Sequence, residues 1–156
     1  VQAMSAIHET LYQSENLSAI DMNIYLSKLG HDVARNYRIG SQVNLKVEAE
    51  NLSIGAKQAS PIGLIINELI TNSFKYAFPV TEDGEIKINL QKTEDQIELE
   101  YADNGIGMPE GLDWKNSDTL GLKLVRTLVE NQLNGSINLE SDNGTRFIIK
   151  FNINET

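Results

Sequence analysis

Asp103-Asn104-Gly105-Ile106-Gly107-Met108-Pro109 sets a carboxylate at the end of an alternating strand and follows it at once with a glycine-rich loop. Just upstream, Ile97, Leu99 and Tyr101 alternate with Glu98 and Glu100, so a period of two puts Asp103 on the same face as the apolar residues. An acid is thereby delivered to the interior or to a pocket that opens on it. A buried carboxylate is costly unless hydrogen bonds satisfy it, and the glycines after it permit positive φ and a close approach of backbone to a ligand. Asn104-Gly105 alone reads as a hairpin turn, but that reading leaves Asp103 unexplained.

Outward from this strand, Ile86, Ile88 and Leu90 form a partner joined through a polar turn at Thr93 to Gln96, which makes a hairpin. A second hairpin is expected from Ser136 to Glu140 and Thr145 to Ile153 across Asp142-Asn143-Gly144, with Phe147, Ile149, Phe151 and Ile153 on one face. Val43, Leu45, Val47 and Ala49 alternate as a half-buried strand, and a short edge strand is expected around Leu52 to Ile54. The spacing predicts a long helix from about Ser60 to Ala77, with Ser60 as N-cap and Pro61 at the first helical position, where a missing N–H costs nothing. Another helix is predicted from Leu120 to about Leu133, with Leu124, Val125, Leu128 and Val129 toward the core and Gly135 just past its end. Near the start, Met4, Ile7, Leu11 and Tyr12 mark an amphipathic helix over Ala3 to Tyr12. A further helix capped by Asp21 carries Met22, Tyr25, Leu26, Leu29, Val33 and Tyr37 on one face and ends at Ile39-Gly40. This order implies an α/β (α+β) two-layer sandwich, a mixed sheet with its helices on one face, preceded by a helical stub. The expected division is a helical region at residues 1–38 and a sheet domain at 39–156.

With 156 residues, 40% hydrophobic and 22% charged, the chain can bury one good core. A net charge of −9 argues against nonspecific binding to nucleic acid or anionic lipid, so an anionic ligand has to be held locally. Without cysteine there is no disulfide framework and no thiolate metal site, which suits a cytoplasmic location. No apolar run approaches the roughly 20 residues of a membrane span. Helical patterning already under way at residue 3 leads to the expectation that the chain is a piece of a longer protein.

Three further clusters carry chemistry. In Asn67-Glu68-Leu69-Ile70-Thr71-Asn72-Ser73-Phe74-Lys75-Tyr76, a rotation of about 100° per residue brings Glu68, Asn72 and Lys75 within an arc of about 60°, on the flank of the Ile62, Ile65, Ile66 and Leu69 face. A carboxylate, an amide oxygen and an ammonium together suit a magnesium polyphosphate, although the same three side chains also make an ordinary surface ladder. Leu120-Gly121-Leu122-Lys123-Leu124-Val125 opens a helix with a glycine and puts a lysine in its first turn, the makings of an anion site or simply of a cap. Asn143-Gly144-Thr145 reads first as a tight hairpin turn, with the Thr145 hydroxyl a candidate ligand contact.

In this order and spacing, the four elements resemble the Bergerat ATP-binding fold of the GHKL superfamily, shared by sensor histidine kinases, gyrase-type topoisomerases, Hsp90 chaperones and MutL repair proteins. Asn67 to Tyr76 resembles the N box of that superfamily, Asp103 to Gly107 its first glycine box, Gly121 to Val125 its second, and Gly144-Thr145 its final glycine-threonine element, so the resemblance covers about residues 42 to 153. Ile62 to Leu69 with Lys75-Tyr76-Ala77-Phe78-Pro79 is most similar to the histidine kinase branch with the second type of dimerisation and phosphoacceptor domain. Ala6-Ile7-His8-Glu9 with Leu11-Tyr12-Gln13-Ser14 resembles the second helix of that domain's hairpin, which implies that the acceptor histidine lies on a helix upstream of these residues.

The resemblance implies ATP and Mg2+ as cofactors, with Asn72 holding the metal, Glu68 orienting at the metal and phosphate end, and Lys75 contacting phosphate. It implies that Asp103 accepts the adenine amino group and that Gly105 and Gly107 line the base pocket, with Met108 and Tyr76 against the ring. Gly121, Leu122 and Lys123 fall near the phosphates and Thr145 in the adenine network. Pro109 to Thr119 corresponds to the ATP lid, with Trp114 as its anchor. The implied activity is transfer of the γ-phosphate to a histidine of the dimerisation domain for relay to a response regulator receiver domain, in a protein that dimerises through its helical region. A serine kinase of the same fold and a degenerate ATP-binding interaction module are the alternatives. His8-Glu9 shares an acid after the histidine with acceptor motifs but lacks their following basic residue and proline, so ATP binding without autophosphorylation is expected of these residues by themselves.

Overall fold

The computed structural model describes residues 19–37, 43–49, 51–78, 83–106, 121–141 and 144–153. The expectations for residues 1–18, for Gly107 and Met108 and for the segment 109–119 lie outside the described residues. In chain order the elements are β1 (Ile20–Asp21), α1 (Met22–Arg35), β2 (Val43–Glu48), β3 (Ser53–Ile54), α2 (Ala56–Asn72), β4 (Gly84–Thr93), β5 (Gln96–Asp103), α3 (Leu122–Thr127), β6 (Ser136–Glu140) and β7 (Thr145–Asn152). α2 runs on into a π-helical turn, Ser73–Ala77, and α3 into another, Leu128–Gln132.

The alternating segments form a five-stranded sheet in the order β2-β4-β5-β7-β6, with β2 parallel to β4 and the other pairs antiparallel. Register builds transverse rows on the covered face. Leu90, Leu99, Ile149 and Ile137 make one row, and Ile88, Tyr101, Phe147 and Leu139 the next. The third row is Ile86, Asp103 and Thr145, so the carboxylate takes a place where the pattern would otherwise put an apolar side chain. Ile62, Ile65, Ile66 and Leu69 of α2 cover these rows and are fully buried, which stabilises the fold by about 1.5–3 kcal/mol for each side chain relative to exposure. Lys87 and Lys150 project from the opposite face into solvent. The mixed sheet with helices on one face is the architecture expected.

Several expectations are corrected. α2 begins at Ala56 with Gly55 as its cap, one turn before Ser60, because Ala56-Lys57-Gln58-Ala59 are good helix formers and Gly55 is extended. Pro61 therefore lies inside the second turn, where it removes one donor, and the carbonyl left over belongs to the exposed Lys57. The early start lets the buried Gln58 amide donate to the Asn152 carbonyl at 2.8 Å, which pins the beginning of α2 to the end of β7. α1 has its expected cap, Asp21 accepting the Ile24 N–H at 3.1 Å, but it ends at Arg35, short of Ile39-Gly40. Its buried face, Met22, Tyr25, Leu26, Leu29 and Val33, packs in one core with Ile65 and Ile86. β3 is not an edge of the main sheet; it pairs with β1 as a separate ribbon. Leu124, expected in the core, is 44% exposed, because Leu122, Val125, Leu128 and Val129 form the inward face once Gly121 starts the helix. Among the described residues, no helix is long and apolar enough to cross a membrane.

α1 and α2 meet at Tyr25 and Gly63. A methyl group on Gly63 would overlap the Tyr25 hydroxyl, and that buried hydroxyl has no hydrogen-bond partner among the described residues. Tyr25→Phe is therefore expected to keep or raise stability, by up to about 1 kcal/mol, since an unsatisfied polar atom is removed. Gly63→Ala should lower stability, and the double variant should recover part of that loss. Urea denaturation of the four proteins reads the coupling, and strictly additive effects would contradict this packing.

Candidate functional site

Asp103 is 7% exposed, and its carboxylate is held by three donors. Ser73 Oγ donates to Oδ2 at 2.6 Å, while the backbone N–H groups of Gly105 and Thr145 donate to Oδ1 at 3.1 and 3.2 Å. The donors come from the end of α2, the loop after β5 and the start of β7. Behind Ser73, its Oγ lies 2.6 Å from Tyr101 Oη, and Tyr101 donates to the Leu69 carbonyl at 3.1 Å. Burial pushes the Tyr101 hydroxyl well above its ordinary value of 10.0; the Ser73 bond opposes this and the Asp103 charge adds to it. Tyr101 is thus a neutral phenol with a proton to donate.

The loop after the carboxylate is fixed from both sides. Asn104 donates its N–H to the Glu85 carbonyl at 3.2 Å and accepts the Glu85 N–H on Oδ1 at 2.7 Å, so it prolongs the pairing with β4 instead of turning away. Gly144 has φ 109°, and a methyl group there would overlap the Asp103 carbonyl, so the last hairpin packs directly on the backbone of Asp103. Gly121 has φ 68°, and a methyl group there would run into the Glu68 carboxylate. Two elements far apart in sequence, the polar flank of α2 and the glycine that starts α3, are therefore in contact.

Between these points lies Asn72, half-buried, one helical turn from Glu68 on the same flank. The arc expected for Lys75 assumed an unbroken α-helix, but Phe78 N–H bonds to the Ser73 carbonyl five residues back at 3.1 Å, and the wider turn changes the phase. Lys75 and Tyr76 project from that turn, both exposed. Leu122 sends its side chain into the core, so only its backbone faces the site, and Lys123 is exposed beside it. Thr145 meets Asp103 through its N–H, where the sequence pointed to its hydroxyl. Gly105 is half-buried in the loop.

Ser73 and Tyr101 are site residues that the sequence reading missed. Their signal was present: Ser73 stands four residues after Leu69 on a stripe that is otherwise apolar, and Tyr101 two residues before Asp103 on the same strand face. A polar residue in each core stripe, aligned with a buried acid, marks a shared network.

Residues 57–155 match the family model for the histidine kinase-, DNA gyrase B- and HSP90-like ATPase, and residues 1–37 match a second model described as histidine kinase. The sensor histidine kinase PdtaS of Mycobacterium tuberculosis is 27% identical over 158 residues, covering 96% of this chain and 30% of that protein, so the chain spans less than a third of that relative's length. The serine-protein kinase RsbW of Listeria innocua is 30% identical over 106 residues, covering 59% of this chain and 64% of that protein. The solved histidine kinase domain of the blue-light activated kinase EL346 from Erythrobacter litoralis superposes with a TM-score of 0.83 over 97% of this chain and 72% of that one, at 23% identity, which establishes a common fold.

Two measurements test this geometry. Gly144→Ala is expected to cost more than about 2 kcal/mol, since strained φ combines with overlap on backbone that cannot move. Gly121→Ala meets only the end of a flexible side chain and should cost about 1–2 kcal/mol; equal losses in urea denaturation would contradict the close packing on Asp103. Tyr25, whose hydroxyl burial also raises, and Tyr101 ionise less readily folded than unfolded. Their contribution to stability is whole below pH 10 and is lost as the pH rises above it. Replacing both with Phe should flatten the fall in urea midpoint above about pH 10, and an unchanged slope would contradict it.

Proposed function

The chain belongs to the histidine kinase-, DNA gyrase B- and HSP90-like ATPase family, and on that premise we propose that it carries the ATP-binding catalytic domain of a two-component sensor histidine kinase. The observation that carries this reading is the buried Asp103, whose three donors leave one acceptor position on Oδ2 for a donor on a ligand. An adenine amino group is such a donor. In this proposal the base lies among Asp103, Gly105, Gly107, Met108, Tyr76 and Thr145, and the phosphates extend along α2 toward Glu68 and Gly121.

Among the described residues, no cluster of three or more carboxylate, imidazole or thiol side chains could hold a metal by itself. The Asn72 amide oxygen would hold a magnesium ion brought in with the nucleotide phosphates. Once bound, such an ion neutralises charge on the polyphosphate. Glu68, at the same end, orients the metal and water shell, while Lys75, Lys123 and the backbone N–H groups at Gly121 and Leu122 hold phosphate oxygens. None of these groups attacks phosphorus. The nucleophile is a histidine imidazole of the dimerisation domain, whose nitrogen bonds to the γ-phosphorus as the bond to ADP breaks. The domain positions and stabilises charge, and the phosphohistidine then supplies a response regulator receiver domain. In this proposal residues 1–38 belong to the dimerisation and phosphoacceptor region and 39–156 form the ATP-binding domain, with α1 packed on the core of that domain. Dimerisation through the region at residues 1–38 and a cytoplasmic location belong to the same proposal.

RsbW motivates a second reading, a protein-serine kinase of this fold. The similarity to PdtaS extends over 96% of the chain and includes the segment matched by the second histidine kinase model, whereas that to RsbW covers 59%. Phosphate transferred by this domain should therefore be acid-labile; acid-stable phosphoserine would decide for the alternative.

Calorimetric titration with a nonhydrolysable ATP analogue and Mg2+ is expected to give saturable binding. Asp103→Asn turns an acceptor into a group that faces the adenine amino group with its own N–H, and should weaken binding at least about tenfold, or 1.4 kcal/mol. Asn72→Asp sets a like charge beside the phosphates and should weaken it comparably. Undiminished affinity in both variants would overturn the assignment.

A further inference from the structure

We infer that Ser73 is the positioning residue that makes the site select a 6-amino over a 6-oxo purine, by fixing which single position of the Asp103 carboxylate stays open. The inference rests on the nucleotide reading above and goes beyond it to a residue that touches Asp103 rather than phosphate.

A carboxylate only accepts, with about four lone-pair positions. Gly105 and Thr145 take two on Oδ1, and Ser73 takes one on Oδ2. The Leu69 carbonyl also only accepts, so Ser73 and Tyr101 bring two hydroxyl protons to three contacts: Ser73 to Asp103, Ser73 to Tyr101, and Tyr101 to Leu69. Nothing else in that chain can supply the 2.6 Å contact to Asp103, so the Ser73 proton is committed there, and the Tyr101 proton serves Ser73 Oγ and the Leu69 carbonyl. With Ser73 3% and Tyr101 1% exposed, solvent does not reorganise the chain.

A base edge at this wall therefore meets one carboxylate lone pair and no proton from Ser73 or Tyr101. An amino group satisfies that lone pair. A carbonyl oxygen in the same place faces a carboxylate oxygen with no proton between them, an uncompensated buried contact. Removing the Ser73 hydroxyl opens a second position on Oδ2 and frees the carboxylate to rotate. A water molecule entering there can donate to both Asp103 and a 6-oxo group, which repairs the mismatch. Ser73 keeps helical geometry, its N–H directed to the Leu69 and Ile70 carbonyls, so the end of α2 holds its hydroxyl against the strand end.

The test is titration of the full chain with ATP and with inosine 5′-triphosphate, each with Mg2+. Wild type is expected to prefer ATP strongly. Ser73→Ala and the near-isosteric Ser73→Cys, whose thiol is a weak donor, should each lower the ATP-to-inosine preference about fivefold or more, mainly by gaining affinity for the inosine nucleotide. Ser73→Thr, which keeps the hydroxyl, should restore the wild-type preference. Equal loss of affinity for both nucleotides in Ser73→Cys, or an unchanged preference in it, would overturn the inference, and because Cys keeps the volume of the site this holds even where Ser73→Ala does not fold. Wild type binding neither nucleotide would instead overturn the reading on which the inference rests.

Discussion

Asp103 is a charge buried under the end of a sheet, and such a group is tolerated only where donors surround it. Its donors come from α2, from the loop after β5 and from the start of β7, so satisfying one carboxylate fixes three segments relative to one another. α2 is anchored at both ends as a result, through Gln58 on the Asn152 carbonyl and through Ser73 on Asp103. Gly144 can only be a glycine because the hairpin it starts lies against the Asp103 backbone. The bonds that hold the fold together at this end are the same bonds that shape the candidate site.

The two ends of that site obey different physics. At Asp103 the environment is buried, and in the proposed function selectivity comes from which lone pairs remain unfilled. Lys75 and Lys123 stand in solvent, where charge is screened over about 8 Å. For a chain of net charge −9, long-range attraction to a polyphosphate is unfavourable, so in the proposed function the anion is gathered only within reach of these lysines, the Gly121 turn and the metal ion. On that proposal burial reads the base, and local charge holds the phosphates.

Much of this was legible in sequence because it depends on local periodicity. A period of two placed Asp103 inward, paired both hairpins and put Phe147, Ile149 and Phe151 in the core; helical spacing put Glu68 and Asn72 on one flank. What escaped was set by tertiary context. Pro61 pointed to a helix start, yet the anchor available to Gln58 favours a start one turn earlier. A π-helical turn has no signature in a 3.6-residue pattern, so the turn that carries Lys75 was not foreseen. The contact of Glu68 with Gly121 joins residues more than fifty positions apart, where no spacing rule operates.

In the proposed function the open acceptor position on Asp103 reads a base amino group while Asn72 stands at the metal. A crystal structure of the chain with Mg2+ and a nonhydrolysable ATP analogue tests it directly. The account predicts the adenine amino nitrogen within hydrogen-bond distance of Asp103 Oδ2, with the Gly105 and Thr145 bonds to Oδ1 intact and the Asn72 amide oxygen bound to the metal. A base seated elsewhere, or held with Asp103 turned away from it, would contradict the account.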